Sequence, residues 1–210
     1  IGDLSQPTDR VTASNMVDNV LTAGGLGDLT VDQLNRVLTG RTYSVNGGMG
    51  TDSFQFSGAT KPEELELQMQ VMAAYMTDPG LRAAPFEQAK SAWPQQLAQL
   101  MATPGGAFAL QAPVLLAGGD QRAATPTADQ VAAFTLDEVR NIVKTGLASG
   151  PIDIVMVGDV TVDDAIRTVA STFGALPARG SAQTPPVGAD QRRFPAPTAA
   201  PVRLAHVGQA

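Results

Sequence analysis

The 210-residue sequence contains no cysteine and a single histidine, His206. The first absence removes disulfides, thiolate metal ligands and a cysteine nucleophile together. The second excludes a multi-histidine metal site within these residues, and any Ser-His-Asp arrangement would have to use that one imidazole. Basic residues are scarce too: 14 Lys and Arg stand against 20 Asp and Glu, a formal net charge of −6. A nucleic-acid groove needs clustered cations to displace counterions, so no nucleic-acid partner is expected. No run approaches the roughly 18 to 20 apolar residues of a membrane-spanning helix. The opening Ile1-Gly2-Asp3-Leu4 has neither a basic nor an apolar signal region, and no initiator Met. That points to a processed chain or an excerpt of a longer one, and leaves export open. With 43% hydrophobic residues the chain can still bury a core, as one large domain or two small ones.

Periodicity supplies the elements. Residues 12–22 read as an amphipathic helix with Met16, Val17, Val20 and Leu21 on one face, ended by Gly24-Gly25. Thr30 is an N-cap for a helix to Leu38, stopped by Gly40. Residues 42–45 and the cleaner 53–57 alternate like strands, and Asn46-Gly47-Gly48 between them reads as a hairpin turn. Lys61-Pro62-Glu63-Glu64 opens a helix whose Leu65, Met69, Met72, Ala73 and Met76 form a core stripe, closed by Asp78-Pro79-Gly80. Further helices are predicted over 86–101 with a kink at Pro94, over 107–116 interrupted at Pro113, and over 136–147 behind a Thr135 cap. Residues 152–157, nearly all apolar, predict a central strand. After Gly158-Asp159, Thr161 starts a helix with Ala165, Ile166, Val169 and Phe173 at core spacing.

From 177 to 201 the composition changes: six of the 15 prolines lie there. The division expected is therefore a domain over 1–178, a Pro-rich interdomain linker over 179–201, and at 202–210 the first strand of a following domain, truncated. The fold class is α/β, in an α+β two-layer arrangement, with a largely antiparallel mixed sheet packed against several helices.

Chemistry-bearing motifs are few. Gly24-Gly25-Leu26-Gly27 and Gly47-Gly48-Met49-Gly50 lack the spacing and context of a phosphate loop, and read as a helix cap and a turn. The acid pairs Glu63-Glu64, Asp137-Glu138 and Asp163-Asp164 each fall at a predicted helix start, where they favour the dipole. The methionine stripe reads as core before it reads as a peptide groove. His206 reads as an ordinary strand residue, with a hydrolase built on it or on carboxylates as a remote alternative.

Three stretches near the start carry a resemblance: Asn15-Met16-Val17-Asp18-Asn19-Val20-Leu21-Thr22-Ala23-Gly24, Gly40-Arg41-Thr42-Tyr43-Ser44, and Ser53-Phe54-Gln55-Phe56-Ser57-Gly58. The end adds Ile152-Asp153-Ile154-Val155-Met156-Val157-Gly158-Asp159, a helix, and Phe173-Gly174-Ala175-Leu176-Pro177. In this order they resemble a domain of the pitrilysin/insulinase family of zinc metallopeptidases. The resemblance implies a metalloprotease LuxS/insulinase-like fold. It also implies duplicated domains, one bearing an H-x-x-E-H motif on its first helix. There two imidazoles hold Zn²⁺, the Glu polarises its water, and a downstream Glu is the third ligand. The matching window here is Asn15-Met16-Val17-Asp18-Asn19: both histidine positions hold Asn and the base position holds Asp. The helix expected to carry the third ligand reads Lys90-Ser91-Ala92-Trp93-Pro94-Gln95-Gln96, without a glutamate.

Asn15, Asp18 and Asn19 are thus vestigial positions, and no catalytic, cofactor or metal site is expected in these residues. The implied function is a non-catalytic domain that helps enclose a peptide substrate, with Zn and hydrolysis in another domain of a parent metalloendopeptidase. A catalytically inactive structural or assembly subunit of the same family is the alternative. Partners would be other domains of the parent, or a homologous subunit, together with peptide. Bacterial relatives imply a periplasmic or secreted location.

Overall fold

The computed structural model describes residues 2–191 and 193–207. The first helical segment starts as a 3-10 turn, Ala13–Met16, and continues as α1, Val17–Val20, so it is shorter and tighter than 12–22. Gly25 ends it with φ of 72°, a left-handed conformation that glycine adopts without a Cβ penalty. Its apolar face is the predicted one: Met16, Val17, Val20 and Leu21 are fully buried. The next helix, α2 (Val31–Val37), has a reciprocal cap. Thr30 accepts from the Gln33 N–H, and the Gln33 side chain returns to the Thr30 N–H.

The sheet departs most from expectation. It consists of two antiparallel strands, β1 (Asn46–Met49) and β2 (Phe54–Ser57), with Asn46 opposite Ser57 and Met49 opposite Phe54. Helices take about 49% of the chain, so a largely antiparallel mixed sheet overstates the strand content. The expected turn at Asn46-Gly47-Gly48 is part of β1, and the chain reverses instead at Thr51-Asp52. These glycines serve close approach. A Cβ on Gly47 would lie 2.8 Å from the Phe56 ring, and one on Gly48 2.6 Å from the Asp18 carboxylate.

Residues 42–45 form no ladder because side chains take the place of a neighbouring strand. Gln68, buried in α3 (Leu65–Thr77), accepts from the Ser44 N–H at 3.1 Å and donates to the Ser44 carbonyl at 2.8 Å. The Ser44 hydroxyl also accepts from the Ala59 N–H at 2.8 Å. Residues 152–157 are extended, with Ile152, Ile154 and Met156 half-buried between exposed neighbours, yet they too lack a ladder partner among the described residues.

Four further helices build the body: α4 (Ala83–Met101), α5 (Pro104–Leu116), α6 (Ala128–Ala133) and α7 (Leu136–Leu147). Pro113 does not interrupt α5, where it sits in the final turn, and α4 runs through Pro94. Met76, Phe86, Val131, Val139 and Val143 close around the buried face of α1, while Leu34, Val71 and Tyr75 form a second cluster on the other side of α3. The last helix, α8 (Val162–Ser171), begins at the predicted Thr161 cap but buries none of its residues, and Ile166 is 62% exposed rather than in the core.

The described residues of 177–201 form no helix or strand, and several bond to the body. Arg179 donates to the Ser149 and Gly150 carbonyls, and Arg122 donates to Ala189 at 2.9 Å. At 202–207 no strand forms; the Val207 N–H donates to Met101 at 2.8 Å. The expected strand extends to 208–210, outside the described residues.

Replacing Gln68 by leucine keeps the volume but strands the Ser44 N–H and carbonyl. Chemical denaturation should show a loss of about 2 to 4 kcal/mol. A loss below roughly 0.5 kcal/mol, the level of a neutral surface change, would show that Gln68 does not hold this segment.

Candidate functional site

The polar side of the first helical segment faces β1. Asn15 is half-buried, and Asp18 and Asn19 are exposed. Asp18 Oδ1 accepts from the Met49 N–H at 2.8 Å, so this carboxylate pins the strand to the helix. Asn15 Nδ2 donates to the Thr12 carbonyl at 3.3 Å, and Asn19 Nδ2 reaches the Asn15 carbonyl at 3.5 Å. An open cavity of about 360 Å³ lies beside Asp18, lined also by Thr22, Gly47, Gly48 and Gln55 among others. Of the three sequence-predicted positions the structure brings Asp18 against the glycine-rich strand, while Asn15 and Asn19 bond only within their own segment.

Chemically the set is one carboxylate, already bound to a backbone amide, and two neutral amides. Amide oxygen is a weak ligand for Zn²⁺ compared with imidazole or thiolate, and the residues do not fit a zinc centre. Helix α4 packs against α1, and its Lys90 is committed elsewhere, its Nζ donating to the Phe134 carbonyl at 2.9 Å. Among the described residues, no three His, Cys, Asp or Glu side chains gather where they could hold a metal ion. His206 is exposed elsewhere: its neighbours Ala205 and Val207 bond to Gln111 and Met101, in the α4–α5 hairpin.

The other candidates resolve into structure. Glu64 pairs with Arg41 at 2.8 Å, Asp137 with Arg140 at 2.9 Å, and Asp164 with Arg167, all in first turns of helices. Gly24-Gly25-Leu26-Gly27 is the collar of a cation. The Arg82 guanidinium donates to the carbonyls of Gly24, Leu26 and Gly27, closing the C-terminal end of the first helix. Neither Arg82 nor Gln68 stands out in the sequence, because a single polar residue committed to a distant backbone carries no periodicity. Helix α6 did leave a signal, the capping box Thr127-Ala128-Asp129-Gln130.

One carboxylate near the site is perturbed. Burial, and after it the charge of Asp18, push Asp3 up to about 6, although Arg122 pulls the other way. The unfolded chain releases this proton near 3.8, so between the two values the native state holds the extra proton. The stability tied to Asp3 is full below the lower value and is lost as pH rises through the higher one. Asp3→Asn should therefore raise the melting temperature at pH 7.5 and leave it nearly unchanged at pH 4, read by thermal scans. An equal change at both pH values would refute this assignment.

No family model matches the sequence, and no curated protein matches it either. Solved structures do. The periplasmic protease PqqL from Escherichia coli aligns with a TM-score of 0.66 over 98% of this chain and 21% of its own, at 21% identity. Pitrilysin aligns at 0.62 over 98% of this chain and 21% of its own, at 13% identity. A peptidase M16 inactive domain from Pseudomonas fluorescens aligns at 0.62 over 87% of this chain and 45% of its own, at 17% identity. The chain spans between about a fifth and just under half of the solved chains it matches. At these identities the likeness speaks for architecture. The chain has an M16-like fold, similar over most of its length to pitrilysin and PqqL.

Proposed function

We propose that this chain acts as a non-catalytic domain of an M16-type zinc peptidase. It helps to enclose a peptide substrate that is hydrolysed at a zinc site in another domain. The observation that carries this reading is the pairing of an M16-like fold with a first helix that presents Asn15, Asp18 and Asn19 where a zinc helix presents His, Glu and His. The likeness to a solved M16 inactive domain supports it. On this reading 1–178 is one repeated unit, 179–201 leads to its neighbour, and 202–210 starts that neighbour. Its partners are the other domains of the parent, or a homologous subunit. A periplasmic or secreted setting accords with PqqL, a periplasmic protease, and none of the described helices is long and apolar enough to cross a membrane.

Purified alone, the chain should hydrolyse no peptide with or without added zinc, and metal analysis should find no stoichiometric zinc. Zinc bound at one equivalent and lost on Asn15→Ala and Asn19→Ala substitution would overturn the reading. The second test is on the rest of the encoded polypeptide or its partner subunit. An intact His-x-x-Glu-His there supports the peptidase. Its absence would leave the inactive structural or assembly subunit.

A further inference from the structure

Of the five asparagines in the chain, one, Asn46, precedes a glycine. An asparagine closes a cyclic imide when the next backbone nitrogen attacks its side-chain Cγ. Three things hold that reaction back: a side chain on the next residue, a hydrogen bond on the attacking N–H, and a bond on the carboxamide itself. Asn15, Asn19, Asn35 and Asn141 lie in helical segments and precede Met16, Val20, Arg36 and Ile142. Each is crowded, and the N–H that follows it belongs to a helical turn. At Asn46 none of the three restraints is present.

Gly47 brings no Cβ into the path of attack. Its N–H is left unbonded by the phase of the hairpin. The Gly50 N–H donates to the Ser53 carbonyl at 2.8 Å, so Gly48 with Gln55 and Asn46 with Ser57 exchange bonds in alternation. The N–H groups of Gly47 and Met49 therefore point away from β2. On that outer side Asp18 takes Met49, whereas Gly47 has no acceptor among the described residues. Asn46 is exposed, and its carboxamide has no partner there either. The core fixes the glycine: a Cβ at position 47 would lie 2.8 Å from the Phe56 ring and 3.1 Å from the Leu21 side chain. The glycine in turn leaves the asparagine reactive.

We propose that Asn46 is a site of spontaneous deamidation and isoaspartate formation in the folded protein, with the Gly47 nitrogen as nucleophile and water as the only co-reactant. The nitrogen gives its proton to solvent and bonds to Asn46 Cγ. The Cγ–Nδ2 bond breaks, and Nδ2 leaves as ammonia with a proton drawn from water. Water then opens the imide at Cγ to give aspartate, or at the main-chain carbonyl carbon to give isoaspartate. Either product sets a second carboxylate on the rim of the cavity that Asp18 lines. Isoaspartate also adds a methylene to the main chain at the end of the ladder. It disrupts the Asn46–Ser57 pair, whereas the Gly48–Gln55 pair lies beyond the change. This chemistry is independent of any zinc site in another domain.

The test is incubation of the 210-residue protein at mildly alkaline pH, folded and in denaturing urea, with isoaspartate read by enzymatic methylation and its position by peptide mass. The folded protein should modify Asn46 before any other asparagine. Its rate should be within about tenfold of the unfolded chain's, because no ladder bond has to open first. The rate should rise with pH, as more of the Gly47 nitrogen is deprotonated, and should not respond to urea below the unfolding transition. Asn46→Gln, an exposed change whose longer arm closes a ring less readily, should remove the signal. A folded-state rate lower by more than that factor, or one that climbs with sub-denaturing urea, would show that the strand protects Asn46 and would overturn the proposal. So would isoaspartate at another residue with Asn46 intact.

Discussion

The fold depends on the complete burial of one face of a very short helix. Val17–Val20 is a single turn, and a helix of that length has no stability of its own in water. It persists because Met16, Val17, Val20 and Leu21 have lost all contact with solvent, which at roughly 1.5 to 3 kcal/mol per large side chain outweighs the nucleation cost. Its other surfaces are fixed by polar contacts. Arg82 closes the carbonyl end, the Tyr75 hydroxyl donates to the Thr22 carbonyl, and Asp18 ties the open side to β1. The surrounding helices are arranged around this turn.

These contacts share a physical pattern. With only two paired strands among the described residues, much of the irregular backbone near the core needs partners from elsewhere, because a buried amide left unpaired costs about 1 to 3 kcal/mol. Long polar side chains supply them. Gln68 gives Ser44 both a donor and an acceptor, Trp93 reaches the Pro126 carbonyl, and Lys90 reaches Phe134. Arg122, whose side chain is only 8% exposed, joins Asp120 to the carbonyls of Leu4 and Ala189. Several of these residues are polar and interior, the opposite of what hydrophobic patterning selects.

That pattern explains what could be read from the sequence. The caps at Thr30, Thr135 and Thr161 and the apolar face of α1 were legible because each is decided within one or two turns of chain. The strands were not, because pairing is settled by distant residues. Asn46-Gly47-Gly48 has the composition of a turn, and only the Phe56 ring and the Asp18 carboxylate make glycine necessary in a strand there. Residues 152–157 keep the alternating burial of a strand, but the central strand expected there does not form among the described residues. A ladder also needs a partner, and none of the described residues provides it. Of the candidate site, the residues were legible. The bond from Met49 to Asp18 was not, since it joins residues 31 apart.

The position of Asn15, Asp18 and Asn19 separates the polar side of the first helical segment from its packed side. The motif occupies the polar side of the segment, and the side that holds the core together is made of Met16, Val17 and Val20. Changes of side chain on the polar side therefore leave the packed face untouched. The carboxylate at position 18 is different, because its bond to Met49 orients β1 whether or not a metal is near. The arm of an aspartate is short, and the Cβ-free backbone of Gly48 lets the strand come close enough for it to bond. The carboxylate of Asp18 thus has a structural task of its own, which is a physical reason for an acid between two asparagines.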